Sequence, residues 1–173
     1  MFFSRKINPE DKQKVLEVLR LWNRHVMTVD SATDEMRLAS VEENDGILSS
    51  TFETRRIATV EVVKGLLGET KSQDSWPELE DEKGFSKMLL LRSLLNEIHA
   101  QQLDSLRLQK EYVETIKTGN MQMHTDSMVT QVHLDSMQVL HLRMGENLDA
   151  LGKAASQLSK HYKIKLKEYM SPY

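Results

Sequence analysis

The side chains best suited to chemistry crowd into one stretch: Met121, Met123, His124, Met128, His133, Met137, His141 and Met144. His133, Met137 and His141 are spaced by four, which places them on one face of a helix. Imidazole and thioether together suit a soft monovalent metal such as Cu(I). Met equally fills irregular gaps between packed helices, with His at their edge, and that reading fits better a chain that contains no Cys. Lack of thiols also removes a cysteine nucleophile, a disulfide framework and any zinc site built on thiolates. Di-iron bundles carry a Glu with a His three residues later on two helices, whereas Glu97 and His99 are two apart. Gly65 and Gly68 lack the following Lys-Ser/Thr of a phosphate loop. The Asp-Ser pairs at 104–105, 126–127 and 135–136 have no nucleophile-elbow context. No catalytic, cofactor-binding or metal-binding residue is assigned, and the chain is expected not to be an enzyme.

His141-Leu142-Arg143-Met144-Gly145 has chemical meaning of another kind. It resembles the motif of histidine phosphotransfer domains at His141 and Gly145. In that family Leu follows the His by two residues, Lys by three and Gly by four, where a missing side chain clears the approach. Arg143 and Met144 stand here in place of the Leu and the Lys. The resemblance covers these five residues alone; it implies a four-helix bundle in which an exposed His141 carries the phosphoryl group. A near repeat, His124-Thr125-Asp126-Ser127-Met128 and His133-Leu134-Asp135-Ser136-Met137, recurs after nine residues. Nine is no helical period, so its copies face different sides.

The elements that position these residues follow from periodicity and punctuation. The 173 residues include 3 Pro and 7 Gly, against roughly 9 and 12 at ordinary usage, too few for a protein of many strands and turns. Asn8, Pro9, Glu10 and Asp11 make a helix start. Val15, Trp22, Val29 and Met36 then recur by sevens, beside Val18/Leu19, Val26, Ala32 and Ala39, which predicts helix over 9–43. Asn44-Asp45-Gly46 signals a turn. Leu48, Phe52, Thr59/Val60, Val63 and Leu67 predict helix over 47–67, stopped by Gly68. A strand pair in 51–63 is the rival, because Thr51, Thr54, Ile57, Thr59, Val60, Val62 and Val63 are β-branched. Residues 69–84 read as an acidic connection, in which Trp76 before Pro77 is held extended and tacks the loop onto the core.

Met88, Leu91, Leu94/Leu95, Ile98, Leu103, Leu106, Tyr112/Val113 and Ile116 predict helix over 85–118. Gly119-Asn120 offers a stop and a new cap, a link that suits an antiparallel hairpin. The last helix is predicted over 121–168 on the stripe Met137, Met144, Leu151 and Leu158, with Gly145 and Gly152 as weak points. Lys163-Ile164-Lys165-Leu166-Lys167 alternates strictly, as a frayed helix end or a short edge strand would.

The expected fold is all-α: an up-down bundle of about four long amphipathic helices, coiled-coil-like, in one domain over 1–173. The formal net charge is -3, which gives no strong nucleic-acid signal. Charge is nonetheless uneven, with six acidic against two basic residues over 69–83. Lys153, Lys160, Lys163, Lys165 and Lys167 stand over 153–167 without an acid. The basic tail 160–167, with Tyr162 and Tyr169, is the candidate contact for an acidic partner, a nucleic acid or an anionic membrane. Met88-Leu89-Leu90-Leu91 ends at Arg92, far short of a transmembrane segment of about 18 residues. Met1-Phe2-Phe3-Ser4-Arg5-Lys6 does not make a signal peptide. A soluble cytoplasmic protein without cofactors is expected. Its helices point to a structural, adaptor or chaperone-like subunit acting through protein–protein interaction and self-association, as a homo-oligomer. A phosphocarrier using His141 and a ligand-sensing bundle are the alternatives.

Overall fold

Asn8 begins the first helix as its sequence implies, its side-chain oxygen accepting the backbone N–H groups of Glu10 at 2.8 Å and Asp11 at 3.3 Å. From there α1 runs over Pro9–Glu42, α2 over Ser50–Lys71, α3 over Glu82–Thr118, α4 over Met123–His161 and the short α5 over Leu166–Tyr169. The computed structural model describes residues 6–42, 46–118 and 123–170, with the backbone alone over 123–130. The expectations at Met1–Arg5, Asn44-Asp45 and Gly119-Asn120, at Met121, and for the side chains of Met123, His124 and Met128 lie outside the described residues. No strand occurs among those described, and no helix among them is long and apolar enough to cross a membrane.

Cross-helix pairs fix the directions. Glu35 meets Arg55 and Arg24 meets Glu69, so α1 and α2 are antiparallel. Gln101 meets Asn147, Ser105 meets His141 and Asp81 meets His161, so α3 and α4 are too. Thr70 at the end of α2 bonds Asn96, early in α3. The chain is an all-α bundle whose four long helices run up, down, up and down.

Its apolar interior has two parts. One cluster joins Val15, Val18 and Leu19 of α1 to Met88, Leu91, Leu95 and Ile98 of α3 and to Leu151 and Leu158 of α4. Trp76, Leu79, Tyr162, Ile164 and Tyr169 close it. The other joins Val29 and Met36 of α1 to Phe52, Val63 and Leu66 of α2 and Leu106 of α3. Helices α1 and α3 line both clusters, α2 only the second and α4 only the first. The heptad stripe of α1 is buried at 15, 29 and 36, with Trp22 half-buried.

Four expected boundaries are corrected. The helix expected over 47–67 forms and excludes the rival strand pair in 51–63, but it begins at Ser50 rather than 47, where Ser49 caps the start by accepting Phe52 N–H at 3.0 Å. The Thr54 and Thr59 hydroxyls donate to carbonyls one turn back, which accommodates their branched side chains. Gly68 does not stop α2. The Trp76 indole N–H and the Arg92 guanidinium donate to the Thr70 carbonyl at 2.8 and 3.1 Å, and Arg92 donates also to the Lys71 carbonyl at 2.9 Å. With its last carbonyls satisfied, the helix gains one more turn. The acidic connection therefore shrinks to 72–81, and α3 begins at Glu82 behind the Asp81 carbonyl, which accepts Phe85 N–H at 2.8 Å. Asp11, 1% exposed, accepts the N–H groups of Glu80 and Asp81 at 3.2 and 3.1 Å.

The fourth correction concerns the last helix, which runs unbroken through Gly145 and Gly152 but ends at His161 rather than near 168. Ile164 N–H donates to the Ser159 carbonyl at 2.8 Å and Lys163 N–H to the Lys160 carbonyl at 3.1 Å. Lys163 lies at φ 53°. This is a Schellman stop with Lys where Gly is usual. It drives Ile164 into the core, so the alternation over 163–167 is neither a frayed helix nor a strand.

Candidate functional site

Between the two apolar clusters, α1 and α3 meet through polar side chains. His25 follows Trp22 by three and precedes Val29 by four, and so lies on the inward stripe of α1. His99 stands four after Leu95 and seven before Leu106 on α3. The rings are 0% and 2% exposed. His25 Nδ1 lies 2.9 Å from His99 Nε2, and the ring planes are inclined at 40°. The added turn of α2 carries Glu69, whose Oε2 lies 3.1 Å from His25 Nε2, while Arg24 closes on its other oxygen. On the far side His99 Nδ1 meets Gln102 Oε1 at 2.8 Å. Arg24, His25, Glu69, His99 and Gln102 thus form one hydrogen-bonded chain drawn from three helices.

Burial decides its charges. Loss of water disfavours imidazolium, and it pulls His25 down to about 4 despite the Glu69 hydrogen bond that favours the charged ring. His99 is lowered as well, by the same desolvation. The Arg24 hydrogen bond holds the Glu69 carboxyl below the ordinary carboxylate range. At neutral pH the chain is therefore a guanidinium–carboxylate pair followed by two neutral rings. The 2.9 Å between the facing nitrogens is the length of an ordinary hydrogen bond.

Arg24 also borders a groove of about 890 Å³ between α1, the 72–81 connection and α5, lined among others by Asn23, Met27, Asp74 and Tyr169. No family model, curated protein or solved structure matches this chain.

The His and Met stripe singled out in the sequence turns toward α3. His133 Nε2 lies 3.8 Å from Glu111, and Met137 and Met144 are half-buried. His141 is exposed, and its Nε2 is 3.0 Å from the Ser105 hydroxyl. Arg143 lies about 200° further round the helix, away from that ring. A Cβ at Gly145 would meet nothing within 4 Å, so this glycine clears no approach that an alanine would block. On the opposite face of α4 stand Val132, Val139 and Leu142, exposed at 64%, 49% and 64%. The acidic and basic segments meet at Asp81, whose Oδ2 lies 2.6 Å from His161 Nε2 and accepts the Tyr162 hydroxyl at 3.5 Å. Lys160, Lys163, Lys165 and Lys167 are exposed beyond it.

Apolar periodicity in the sequence leaves out His25, Glu69 and His99. Its own register contained the signal for the two histidines, since both fall on stripes that are otherwise apolar. Glu69 carried none, because it lay beyond the expected end of its helix.

Proposed function

We propose that the protein is a non-enzymatic adaptor or structural subunit of the cytoplasm that works through protein–protein association, with a second copy of itself as first partner. The observation that carries this reading is the outer face of α4. Over 131–148 this helix covers α3 on one side and presents Val132, Val139 and Leu142 to solvent on the other. Valine and leucine at i, i+7 and i+10 make a seam onto which a second amphipathic helix can pack. Because these side chains are already exposed, Val139→Asp with Leu142→Asp removes the seam without disturbing the fold. Size exclusion with light scattering is expected to show an oligomer for the natural chain and a monomer for the double variant, whose helical circular dichroism stays unchanged. A natural chain that stays monomeric at every concentration overturns self-association.

The groove beside Arg24 favours a second reading, a ligand-sensing bundle, for which a ligand-dependent rise in melting temperature is the test. Phosphoryl transfer at His141 is the alternative of another class. Labelling from a phosphorylated receiver that survives His141→Ala disposes of it.

A further inference from the structure

The histidine pair between the two cores has a proton count that its geometry dictates. Every nitrogen of the two rings faces a polar atom: Glu69 Oε2, the other ring, and the Gln102 amide. Glu69 is ionised through Arg24 and can only accept, so His25 Nε2 must carry a proton. With both rings neutral, His25 Nδ1 is then an acceptor and takes the proton of His99 Nε2. His99 Nδ1 is left as an acceptor, and the Gln102 amide must present its NH₂ group. With one added proton, His99 Nδ1 becomes a donor and Gln102 presents its carbonyl oxygen, the orientation seen at 2.8 Å. The proton between the rings is still shared. A second added proton would set N–H against N–H across the 2.9 Å contact, and no rotation of Gln102 relieves that.

We propose that His25, His99 and Gln102 form a proton-operated latch that holds α1 to α3 with no added proton or with one, and releases them with two. The amide of Gln102 turns over between the two closed states, and the protons come from bulk water. The charged groups facing the pair are Arg24 from α1 and Glu69 from α2. Its hydrogen-bond partner from α3, among the described residues, is the Gln102 amide. Among the described residues no ionised side chain of α3 or α4 bonds or ion-pairs with either ring. The latch lies where the α1–α2–α3 cluster gives way to the α1–α3–α4 cluster, so its release uncouples two otherwise separate interiors.

The test is a pH titration of the full chain by long-range ¹H–¹⁵N NMR of the imidazoles, followed in parallel by amide exchange over 22–29 and 95–102. At pH 7 both rings are expected as Nε2–H tautomers. On acidification they should titrate together, taking up one proton while the amides stay protected, with exchange opening only as the second is bound. Gln102→Leu, which offers the cationic pair no acceptor, should lower the first midpoint by about one pH unit. Gln102→Glu should raise it by at least as much. A ring found as the Nδ1–H tautomer at pH 7, or two rings titrating independently near 6.5, overturns the proposal whether or not the variants fold. Gln102 variants that fold and leave the midpoint unmoved overturn it as well.

Discussion

A buried histidine that stays neutral makes stability depend on pH with a definite sign. In the unfolded chain both rings titrate near 6.5, whereas folded His25 is held at about 4 and His99 is lowered too. Below 6.5 the unfolded state binds more protons than the folded one, so stability is full above that pH and is lost as pH falls toward 4. Urea unfolding at pH 7.5 and 4.5 should show a loss on the order of 3 kcal/mol. Single replacement of His25 or His99 by Leu strands one buried nitrogen of the other ring, which keeps only its bond to Glu69 or Gln102, and should cost about 1–3 kcal/mol. The double replacement strands neither, and a double-mutant cycle should find it less destabilising than the sum of the two. Both residues were visible in the sequence as histidines at inward helical positions. Their meeting was not, because periodicity assigns a face to each helix and says nothing of which level on one helix faces which level on another.

Helix ends, more than helix middles, separate the structure from the sequence. The stripes located α1 to α4 because apolar spacing is a property of each segment by itself. The ends of α2 and α4 depend instead on side chains distant in sequence. Arg92, on the next helix, satisfies the last carbonyls of α2. Arg92→Ala is expected to fray that end, to loosen Glu69 from His25, and to cost about 1–2 kcal/mol in thermal or urea unfolding. At the end of α4, Lys163 occupies a left-handed position that glycine adopts without strain. Lys163→Gly should raise stability by about 1 kcal/mol, read as a higher urea midpoint at unchanged slope. Gly68, an apparent stop in sequence, lies inside its helix, so a glycine alone does not end a helix whose next carbonyls find donors.

At the scale of the whole molecule, α1 and α3 are the two members common to both interiors, and α2 and α4 each complete one of them. Gly84 shows how closely the α3–α4 interior is fitted. A Cβ there would fall on the Tyr162 hydroxyl and lie 2.6 Å from Cζ of the same ring. Gly84→Ala should therefore cost about 1–3 kcal/mol through displacement of a buried tyrosine, a larger change than helix propensity, which favours alanine, would offset. The division of the interior also bears on how the chain is made. Every residue of the α1–α2–α3 cluster has been synthesised by Leu106, whereas the other cluster waits for Tyr169. During translation the half of α1 around Val29 can find its final neighbours while the half around Val15 still has none from α4 or α5. Ribosome-arrested chains from which α3 has just emerged should already resist protease over 29–106 and remain open to it before Trp22.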